Sequence, residues 1–265
     1  MLRREMMKVN IFTFPISIGS YVNFIDQIFY LSEHKPSSYV CFANVHMAVE
    51  AYSNMEFNTV VKSADIVAPD GQPISLFLRY IKKVNQGRVC GLDVFPDLLK
   101  EAEARGKSIF LYGTTEGVIT KICDRAKKEF PALNICGFYA PPFRQLTAVE
   151  ESGVINQIND AKPDLVLVAL GCPKQERWMA DHKGKIQGCM LGVGHAFNIY
   201  AGTAKRCPLW LRNHSLEWAY RLFSEPRRLW KRYLYTNSFF LMLTLKYFIH
   251  LQKESFLTRT AHKYH

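Results

Sequence analysis

The chain has 265 residues, of which 48% are hydrophobic, and this is enough to bury the core of one α/β domain with room for a further segment. Its seven cysteines are odd in number and form no CxxC pair, which favours reduced thiols and argues against a disulfide framework or a zinc site. The net charge is +11, and the basic N-terminus is not followed by a long apolar run, so we expect no secretory signal.

Short apolar runs bounded by turn residues alternate with segments of helical periodicity as far as residue 201. Because these runs are apolar throughout, they indicate strands of a mainly parallel sheet that helices cover on both faces. Helices are predicted between them, for example at Glu116–Phe130 and at Thr147–Ala161, where Thr147 and Glu150 have the spacing of a capping box. The predicted strands are Tyr39–Ala43, Ala64–Ala68, Ser108–Tyr112, Leu133–Phe138, Asp164–Leu170 and Cys189–Val193.

Polar and glycine residues follow most of these predicted strands, at the point where each strand ends. Ligands of open α/β sheets bind beyond the carboxyl ends of the strands, so this edge of the sheet is the predicted site. In chain order the residues are Asn44, Asp70 with Gly71, Gly113 with Thr114 and Thr115, Gly171 to Glu176, and Gly194 with His195.

Two glycine-containing segments are compatible with phosphate binding. The segment Gly113–Gly117 would place backbone N–H groups at a helix N-terminus, which favours phosphate, although a plain threonine N-cap is the simpler interpretation. Gly192-Val193-Gly194 matches only half of the GxGxxG dinucleotide fingerprint, because Ala196 and Asn198 follow it. A nicotinamide-dependent oxidoreductase is therefore disfavoured.

The segment Gly171–Glu176 places a proline, a lysine, a glutamine and a glutamate directly after an apolar strand. Lys174 is suited to meet a phosphate, and Gln175 is suited to hydrogen-bond a base or a sugar. A charged first helical turn, in which Glu176 complements the helix dipole, explains the same residues equally well.

Asp70 stands between a proline and a glycine at a strand end, where an aspartate can act as a general base. An Asx turn is the simpler interpretation of an Asp-Gly pair on sequence alone. His46 and His195 lack metal-ligand spacing and are interpreted as structural or hydrogen-bonding residues. The sequence contains neither HExxH nor a close DxD pair, which favours chemistry without a metal ion.

The C-terminal segment is basic and aromatic. From Gly202 onward there are twelve lysines and arginines, three glutamates and three of the four tryptophans, so nine of the eleven net positive charges lie there. Pro208 and Pro226 each suit a helical first turn, and a helix is predicted from Pro226 to about His250. Its apolar stretch at Phe239–Leu245 is too short to span a bilayer and favours a helix lying at the membrane surface; a packed helical pair with a solvated basic face is the alternative.

These segments together resemble the WecG/TagA/CpsF family of glycosyltransferases. The most specific pieces are PDG at 69–71, LGCPKQERW at 170–178, GVGHAF at 192–197 and LEWAYRLFSEPRRLWKRY at 216–233. Further matching pieces are CFANVHMAVEA, ADIVAPDGQPI, RVCGLDVF, IFLYGTTEGV and GFYAPPFRQLT. The resemblance thus extends along nearly the whole body of the chain and into the C-terminal segment.

The resemblance implies a Rossmann-like α/β core at 1–201 and a helical, membrane-associating appendage at 202–265. It implies an inverting enzyme that moves a hexose-type sugar from a UDP-sugar to an undecaprenyl-diphosphate-linked saccharide in bacterial surface polysaccharide synthesis. No metal ion and no cofactor are implied. We therefore expect a cytoplasmic protein, peripheral on the inner face of the membrane, whose partners are the UDP-sugar donor, the polyprenyl-diphosphate-linked acceptor and possible further copies of the chain.

The resemblance also assigns individual residues. Asp70 matches the aspartate of the DG motif and is implied as the general base. Donor binding is implied for Asn44, Gly113, Thr114, Gly171, Pro173, Lys174, Gln175, Glu176, Gly194, His195 and Asn198. Contacts to the pyrophosphate or to the acceptor are implied for Asp93, Arg206, Arg221, Arg227, Arg228 and Arg232.

The chain departs from the family pattern in three segments. Phe42 stands where threonine is frequent, GVGHAFN replaces the common GVGGAFD at His195 and Asn198, and Ser215 replaces the usual glycine before LEW. The first two departures point to donor recognition, so the sugar is left open. Two other functions also stay open: a non-catalytic homologue that binds nucleotide, and a nucleic-acid-binding protein. The latter predicts strongly salt-dependent binding through the basic segment, but the apolar Phe239–Leu245 run fits a membrane better, and we expect no nucleic-acid partner.

Overall fold

The computed structural model describes residues 5–213 and 216–261, without the side chains of Asn213 and of residues 254–261. The strands are β1 Met7–Ile11, β2 Phe14–Ile18, β3 Tyr39–Ala43, β4 Ile66–Pro69, β5 Ser108–Gly113, β6 Asn134–Tyr139, β7 Leu165–Ala169 and β8 Cys189–Gly192. The helices are α1 Tyr21–His34, α2 Val45–Ser53, α3 Met55–Lys62, α4 Gln72–Tyr80, α5 Gly91–Arg105, α6 Glu116–Glu129, α7 Ala148–Asp160, α8 Lys174–Asp181, α9 Ala196–Tyr200, α10 Leu209–Asn213, α11 Glu217–Ser224 and α12 Pro226–Ala261.

Strands β3 to β8 form one parallel sheet of six strands in the order β4-β3-β8-β7-β5-β6. The sequence predicts all six strands, with bounds that differ from the observed ones by at most two residues. The capping box of α7 is also confirmed, because the Thr147 hydroxyl accepts from the Glu150 amide while Glu150 Oε2 accepts from the Thr147 amide. The predicted α/β class, with a parallel sheet between helices, is therefore confirmed.

The sequence does not predict the antiparallel hairpin that β1 and β2 form before the sheet. Hairpins with two-residue turns usually carry Asn-Gly or Asp-Gly at the turn, whereas this one turns at Phe12 and Thr13. Phe12 lies in the left-handed region with a φ of 47°. Buried apolar side chains on both strands, Ile11 and Ile16 among them, join the core and explain why the hairpin forms without a turn signal.

The sheet separates two hydrophobic layers, because alternate residues of each strand point to opposite faces. On β3, Val40 and Phe42 pack into one layer, and Cys41 and Ala43 pack into the other. The first layer is covered by α1, α5, α6 and α9. The second is covered by the hairpin together with α2, α3, α4, α7, α8 and part of α12.

The neighbouring strands β5 and β7 lead into connections that run in opposite directions across the sheet. Helix α6 takes the chain from β5 outward to β6, and α8 takes it from β7 inward to β8. Such a reversal opens a crevice at the carboxyl edge, where ligands of open α/β sheets bind. Gly113 and Gly171 stand at the two sides of this crevice.

The C-terminal segment forms helices α10, α11 and α12. The predicted start of the last helix at Pro226 is confirmed, but the helix continues beyond His250 to Ala261. Helix α12 packs along α2 and buries Phe240 and Leu243, and the ring centroid of Phe240 lies 5.5 Å from that of Phe12. A division of the chain at residue 201 stays a prediction.

None of the described helices has both the length and the apolar character of a membrane span.

Candidate active site

Asn44 and Asp70 leave two neighbouring parallel strands at the same level. Ala43 pairs with Pro69 in the β3–β4 register, and the Asp70 amide donates to the Ala43 carbonyl oxygen at 2.8 Å. Asn44 caps α2, because its Oδ1 accepts from the Met47 amide at 3.1 Å. The side chains of Asn44 and Asp70 are both half-buried at this edge.

The surroundings of Asp70 make its carboxylate unusually basic. Burial raises the pKa of Asp70 to about 6, and the negative charge of Glu217 adds to this rise. A hydrogen bond with the Cys90 thiol and the positive charges of Arg88 and Arg221 lower the pKa in part. At neutral pH the carboxylate is therefore mostly ionised, yet more basic than an exposed aspartate, which suits a general base.

The Gln175 side chain ties together the ends of β7 and β8. Its Oε1 accepts from the Gly171 amide at 3.2 Å, and its Nε2 donates to the Gly192 carbonyl oxygen at 2.9 Å. A side chain at position 192 would meet Nε2 at 2.9 Å, so this approach requires glycine. Lys174 is exposed, whereas Gln175 and Glu176 are buried, so of these three residues only Lys174 fits a solvated first helical turn.

Glu176 is fully buried directly behind this loop. Its Oε1 accepts from Gln175 Nε2 at 2.7 Å, while its Oε2 has no hydrogen-bond partner. Burial raises the pKa of Glu176 to about 7, although the Gln175 amide and the nearby Cys172 thiol oppose the rise. Glu176 is therefore a largely neutral carboxylic acid below pH 7 and does not act as a charged group at the helix N-terminus.

The Gly113–Thr114 turn lies directly against β7. Gly113 has a φ of 115°, and a Cβ at this position would stand 2.5 Å from the Ala169 carbonyl oxygen. The Thr114 amide donates to the same oxygen at 3.1 Å. Thr115 is the N-cap residue of α6 but makes no side-chain capping bond, so the plain threonine cap considered above is not observed. The start of α6 thus opens at the crevice between β5 and β7.

Arginines of the C-terminal helices come to the carboxyl ends of β3 and β8. Burial, together with the charges of Arg221 and Arg228, lowers the pKa of His195 to about 4, so this imidazole is neutral. Burial and the charge of Arg232 lower the pKa of His46 in the same way. The buried Nε atoms of Arg221 and Arg232 have no hydrogen-bond partner, which leaves donors directed into the protein near Asp70 and α2.

The other predicted pyrophosphate residues are placed differently. Arg206 forms an ion pair with Asp93, which also receives Arg88 at 3.2 Å and Arg212 at 3.7 Å. Arg227 is exposed on α12. The charge of Arg206 is thus balanced within the protein by Asp93.

A small, partly open cavity lies between α9 and α11, next to this ion-pair network. Its walls include His195, Arg206, Glu217 and Arg221. Asn198 of α9 lies one turn from His195 and accepts a hydrogen bond from the Thr203 hydroxyl at 3.2 Å. The cavity therefore has a mainly basic wall on the C-terminal side of the site.

The positions that depart from the family pattern can be located in part. Phe42 is buried in the first hydrophobic layer, and its ring packs beside Gly91, 3.6 Å from where a Cβ at that position would stand. Phe42 therefore fills the space beneath the start of α5. Ser215 lies outside the described residues.

Sequence reasoning missed three residues around Asp70, namely Arg88, Cys90 and Glu217. All three lie within segments quoted for the resemblance, RVCGLDVF and LEWAYRL, so a signal was present. Within residues 5–213 and 216–261, no group of three or more His, Cys, Asp or Glu side chains is arranged to hold a metal ion.

Comparison with known proteins agrees with the site's composition. The model of the glycosyl transferase WecG/TagA/CpsF family matches residues 9–254. Three relatives are each named N-acetylglucosaminyldiphosphoundecaprenol N-acetyl-beta-D-mannosaminyltransferase. The one from Bacillus spizizenii strain W23 is 33% identical over 218 residues, which cover 82% of this chain and 82% of the relative. The one from Bacillus subtilis strain 168 is 32% identical over 86% of this chain and 88% of the relative. The one from Staphylococcus aureus strain MW2 is 24% identical over 87% and 88%.

Proposed function

Because the chain belongs to the WecG/TagA/CpsF family of glycosyltransferases, we propose that it moves a hexose-type sugar from a UDP-sugar to an undecaprenyl-diphosphate-linked saccharide. The observation that carries this proposal is that the Asp70 carboxylate, whose pKa is raised to about 6, lies close enough to Arg88 and Arg221 for their charges to act on it. A sugar diphosphate requires both a base for the acceptor and cations for the leaving group.

In the proposed reaction, Asp70 takes the proton of an acceptor hydroxyl. The hydroxyl oxygen forms a bond to the anomeric carbon while the bond between that carbon and the UDP oxygen breaks. The electron pair of the broken bond leaves with UDP, and attack from the opposite side inverts the stereochemistry. A carboxylate with a pKa of about 6 is ionised at pH 7 and basic enough to accept this proton.

Negative charge grows on the diphosphate as this bond breaks, and cations fixed in advance stabilise that charge without reorganising. Arg221, Arg228 and Arg232 are proposed for this task, because their positions near His195 and His46 support it. Arginine suits a diphosphate, since its planar fork donates two parallel hydrogen bonds. Arg206 has a different proposed role, holding the C-terminal segment to Asp93.

The donor nucleotide is proposed to lie at the crevice between β5 and β7. The open start of α6 after Thr114 supports this position, since amides at a helix N-terminus favour phosphate. The Gln175 clamp supports it indirectly, because its bonds to Gly171 and Gly192 keep the two neighbouring strand ends in a fixed arrangement. Lys174, which is exposed beside this loop, is proposed to meet the nucleotide phosphates.

The lipid-linked acceptor is proposed to reach the site from the cytoplasmic face of the membrane, along the C-terminal helices. Several large apolar side chains of these helices are exposed, including Trp210, Phe223, Leu241 and Leu245. Exposed apolar side chains among arginines and lysines are typical of helices that lie on an anionic membrane surface. Docking there would also limit wasteful hydrolysis of the donor.

The test is a screen for UDP release with the full chain, a panel of UDP-sugars and N-acetylglucosaminyl diphosphate on a polyprenyl chain. UDP-N-acetylmannosamine is the first donor to try, given the names of the relatives. We expect UDP release that requires donor and acceptor together and persists in EDTA. Tight UDP binding without release from any donor would instead support a non-catalytic homologue, and activity lost in EDTA and restored by Mn²⁺ would overturn the metal-free chemistry.

A further inference from the structure

Arg88 is held between two carboxylates from distant parts of the chain. Its Nη1 donates to Glu217 Oε2 at 2.9 Å, and its Nη2 donates to Asp93 Oδ2 at 3.2 Å. Asp93 lies in the first turn of α5, whereas Glu217 is the first residue of α11. The side chains of Arg88 and Glu217 are only 21% and 19% exposed, so solvent screens their interaction less than that of a surface pair.

This ion pair lies beside the candidate base, because the Val89 amide donates to the Pro69 carbonyl oxygen at 2.9 Å and so brings Arg88 and Cys90 next to Asp70. Four groups act on the Asp70 carboxylate. Arg88 and Cys90 come from the segment before α5, and Glu217 and Arg221 come from α11. Arg88 lowers the pKa of Asp70, and Glu217 raises it. The Glu217 carboxylate, which raises the pKa of Asp70 directly, therefore also binds Arg88, the arginine that lowers it.

We propose, building on the function proposed above, that Glu217 is a positioning residue that holds the Arg88 guanidinium against Asp93 and keeps it from pairing with the Asp70 carboxylate. An arginine paired with the base would stabilise its ionised form and weaken it as a proton acceptor. With Glu217 in place, both terminal nitrogens of Arg88 are engaged away from Asp70. Glu217 thus keeps the base strong from its place at the start of α11.

A simpler role for Glu217 is to complement the dipole of α11, because an acidic residue in the first turn of a helix is stabilising. That role would affect the stability of α11 but would not act through Arg88. The two roles are separated by the ionisation of Asp70, which responds to where the Arg88 guanidinium lies.

The test follows the Asp70 carboxyl by ¹³C NMR in full-length protein labelled at aspartate side-chain carbons, with Asp70→Asn used to assign the signal. Glu217→Gln keeps the shape of the side chain and removes its charge, and we expect the Asp70 midpoint to fall by roughly half a pH unit or more. Glu225→Gln is the matched control, since Glu225 ends the same helix but pairs with Arg228. In the control the Asp70 midpoint should stay at its wild-type value.

A double-mutant cycle shows whether Glu217 acts through Arg88. In an Arg88→Gln background, Glu217→Gln should shift the Asp70 midpoint clearly less than it does in the wild-type chain. An equal shift in both backgrounds, an unchanged midpoint in Glu217→Gln, or an equal shift in Glu225→Gln would overturn the proposal.

These NMR midpoints need no substrate, so they test Glu217 even if no sugar donor is found. Where the wild-type chain does release UDP, the acid limb of kcat/KM in Glu217→Gln should move to lower pH together with the Asp70 midpoint. An acid limb that stays in place while the midpoint moves would overturn the link to the base. Absence of UDP release from the wild-type chain would overturn the proposed function and leave the outcome of the NMR test standing.

Discussion

The amide nitrogen of Asp70 donates to the carbonyl oxygen of Ala43 at 2.8 Å, so the parallel ladder between β3 and β4 extends one residue beyond the strands. This bond fixes the height at which Asp70 leaves the sheet. Asn44, the residue after Ala43, leaves at the same height and caps α2. Two regular elements thus hold the candidate base, and its backbone needs no substrate to take up this position.

Replacing Asp70 by asparagine keeps the shape of the side chain but removes the proton acceptor. We expect Asp70→Asn to lower kcat for UDP release by roughly 10²- to 10⁴-fold, the usual contribution of a general base. UDP affinity, measured by calorimetry, should change little. Asp160→Asn, at the exposed end of α7, is the matched control and should keep wild-type turnover. Turnover within a few-fold of wild type in Asp70→Asn would remove Asp70 from the role of base.

The pH dependence follows from the same carboxyl group. Burial raises the pKa of Asp70 to about 6, and only the ionised form accepts a proton. We therefore expect kcat/KM to fall as the pH drops through about 6 and to level off above it. A steady-state profile from pH 5 to 8 measures this midpoint. A fall of kcat/KM centred near pH 4, where an exposed aspartate titrates, would show that burial does not raise the pKa of Asp70 in the working enzyme.

The sequence predicts the sheet and its polar edge because both depend on local patterns. Apolar runs such as that of β7 end at residues such as Gly171, and parallel strands bring those ends to one edge. The contact between Arg88 and Glu217 joins residues 129 positions apart and has no local signal, since it depends on how the chain brings α11 next to the segment before α5. The sequence does not predict the turn at Phe12 for a related reason. Phe12 is not a residue that favours such a turn, and the burial of the hairpin's apolar side chains in the core stabilises it instead.

Gly113 and Gly117 give opposite predictions for the same substitution. A Cβ at Gly113 would stand 2.5 Å from the Ala169 carbonyl oxygen at a φ of 115°, whereas a Cβ at Gly117, in the first turn of α6, meets nothing within 4 Å. We expect Gly113→Ala to lower the free energy of unfolding by several kcal/mol, of the order of 2–4, and to weaken UDP binding. Gly117→Ala should raise the free energy of unfolding by about 0.5–1 kcal/mol. Urea unfolding of both variants checks the pair, and equal stability would contradict the close approach of β5 and β7.

Glu176 should make the stability of the protein fall as the pH rises. The pKa of Glu176 is about 7 in the folded chain against the ordinary glutamate value of 4.5, so the folded state binds a proton that the unfolded state releases. Stability is then lost between about pH 4.5 and 7 and stays level above, with a total effect of at most about 3 kcal/mol. Glu176→Gln lacks this titration, so its melting temperature relative to wild type should be higher at pH 8 than at pH 5. A difference between the two proteins that does not change with pH would show that Glu176 is not neutral in the fold.

Helix α12 presents an apolar stripe on the side opposite to its packed face. Leu234, Leu241, Leu245 and Phe248 recur at helical spacing and are exposed, whereas Phe240 and Leu243 are buried against the body. Arg227 and Lys231 lie on the same side of α12, before the stripe. Because these residues are positively charged, the stripe suits an anionic membrane rather than a neutral one.

The double variant Leu241→Glu, Leu245→Glu tests this stripe. Both side chains are more than half exposed (69% and 57%), so the fold should persist. We expect co-sedimentation with vesicles containing phosphatidylglycerol to weaken by about tenfold or more, since two leucines no longer bury apolar surface in the lipid. Val149→Glu is the matched control, because Val149 is 83% exposed on α7, away from this stripe, and should leave vesicle binding at the wild-type level. Unchanged binding in the double variant would mean that α12 does not carry the membrane contact, and that the acceptor lipid must approach Asp70 by another route.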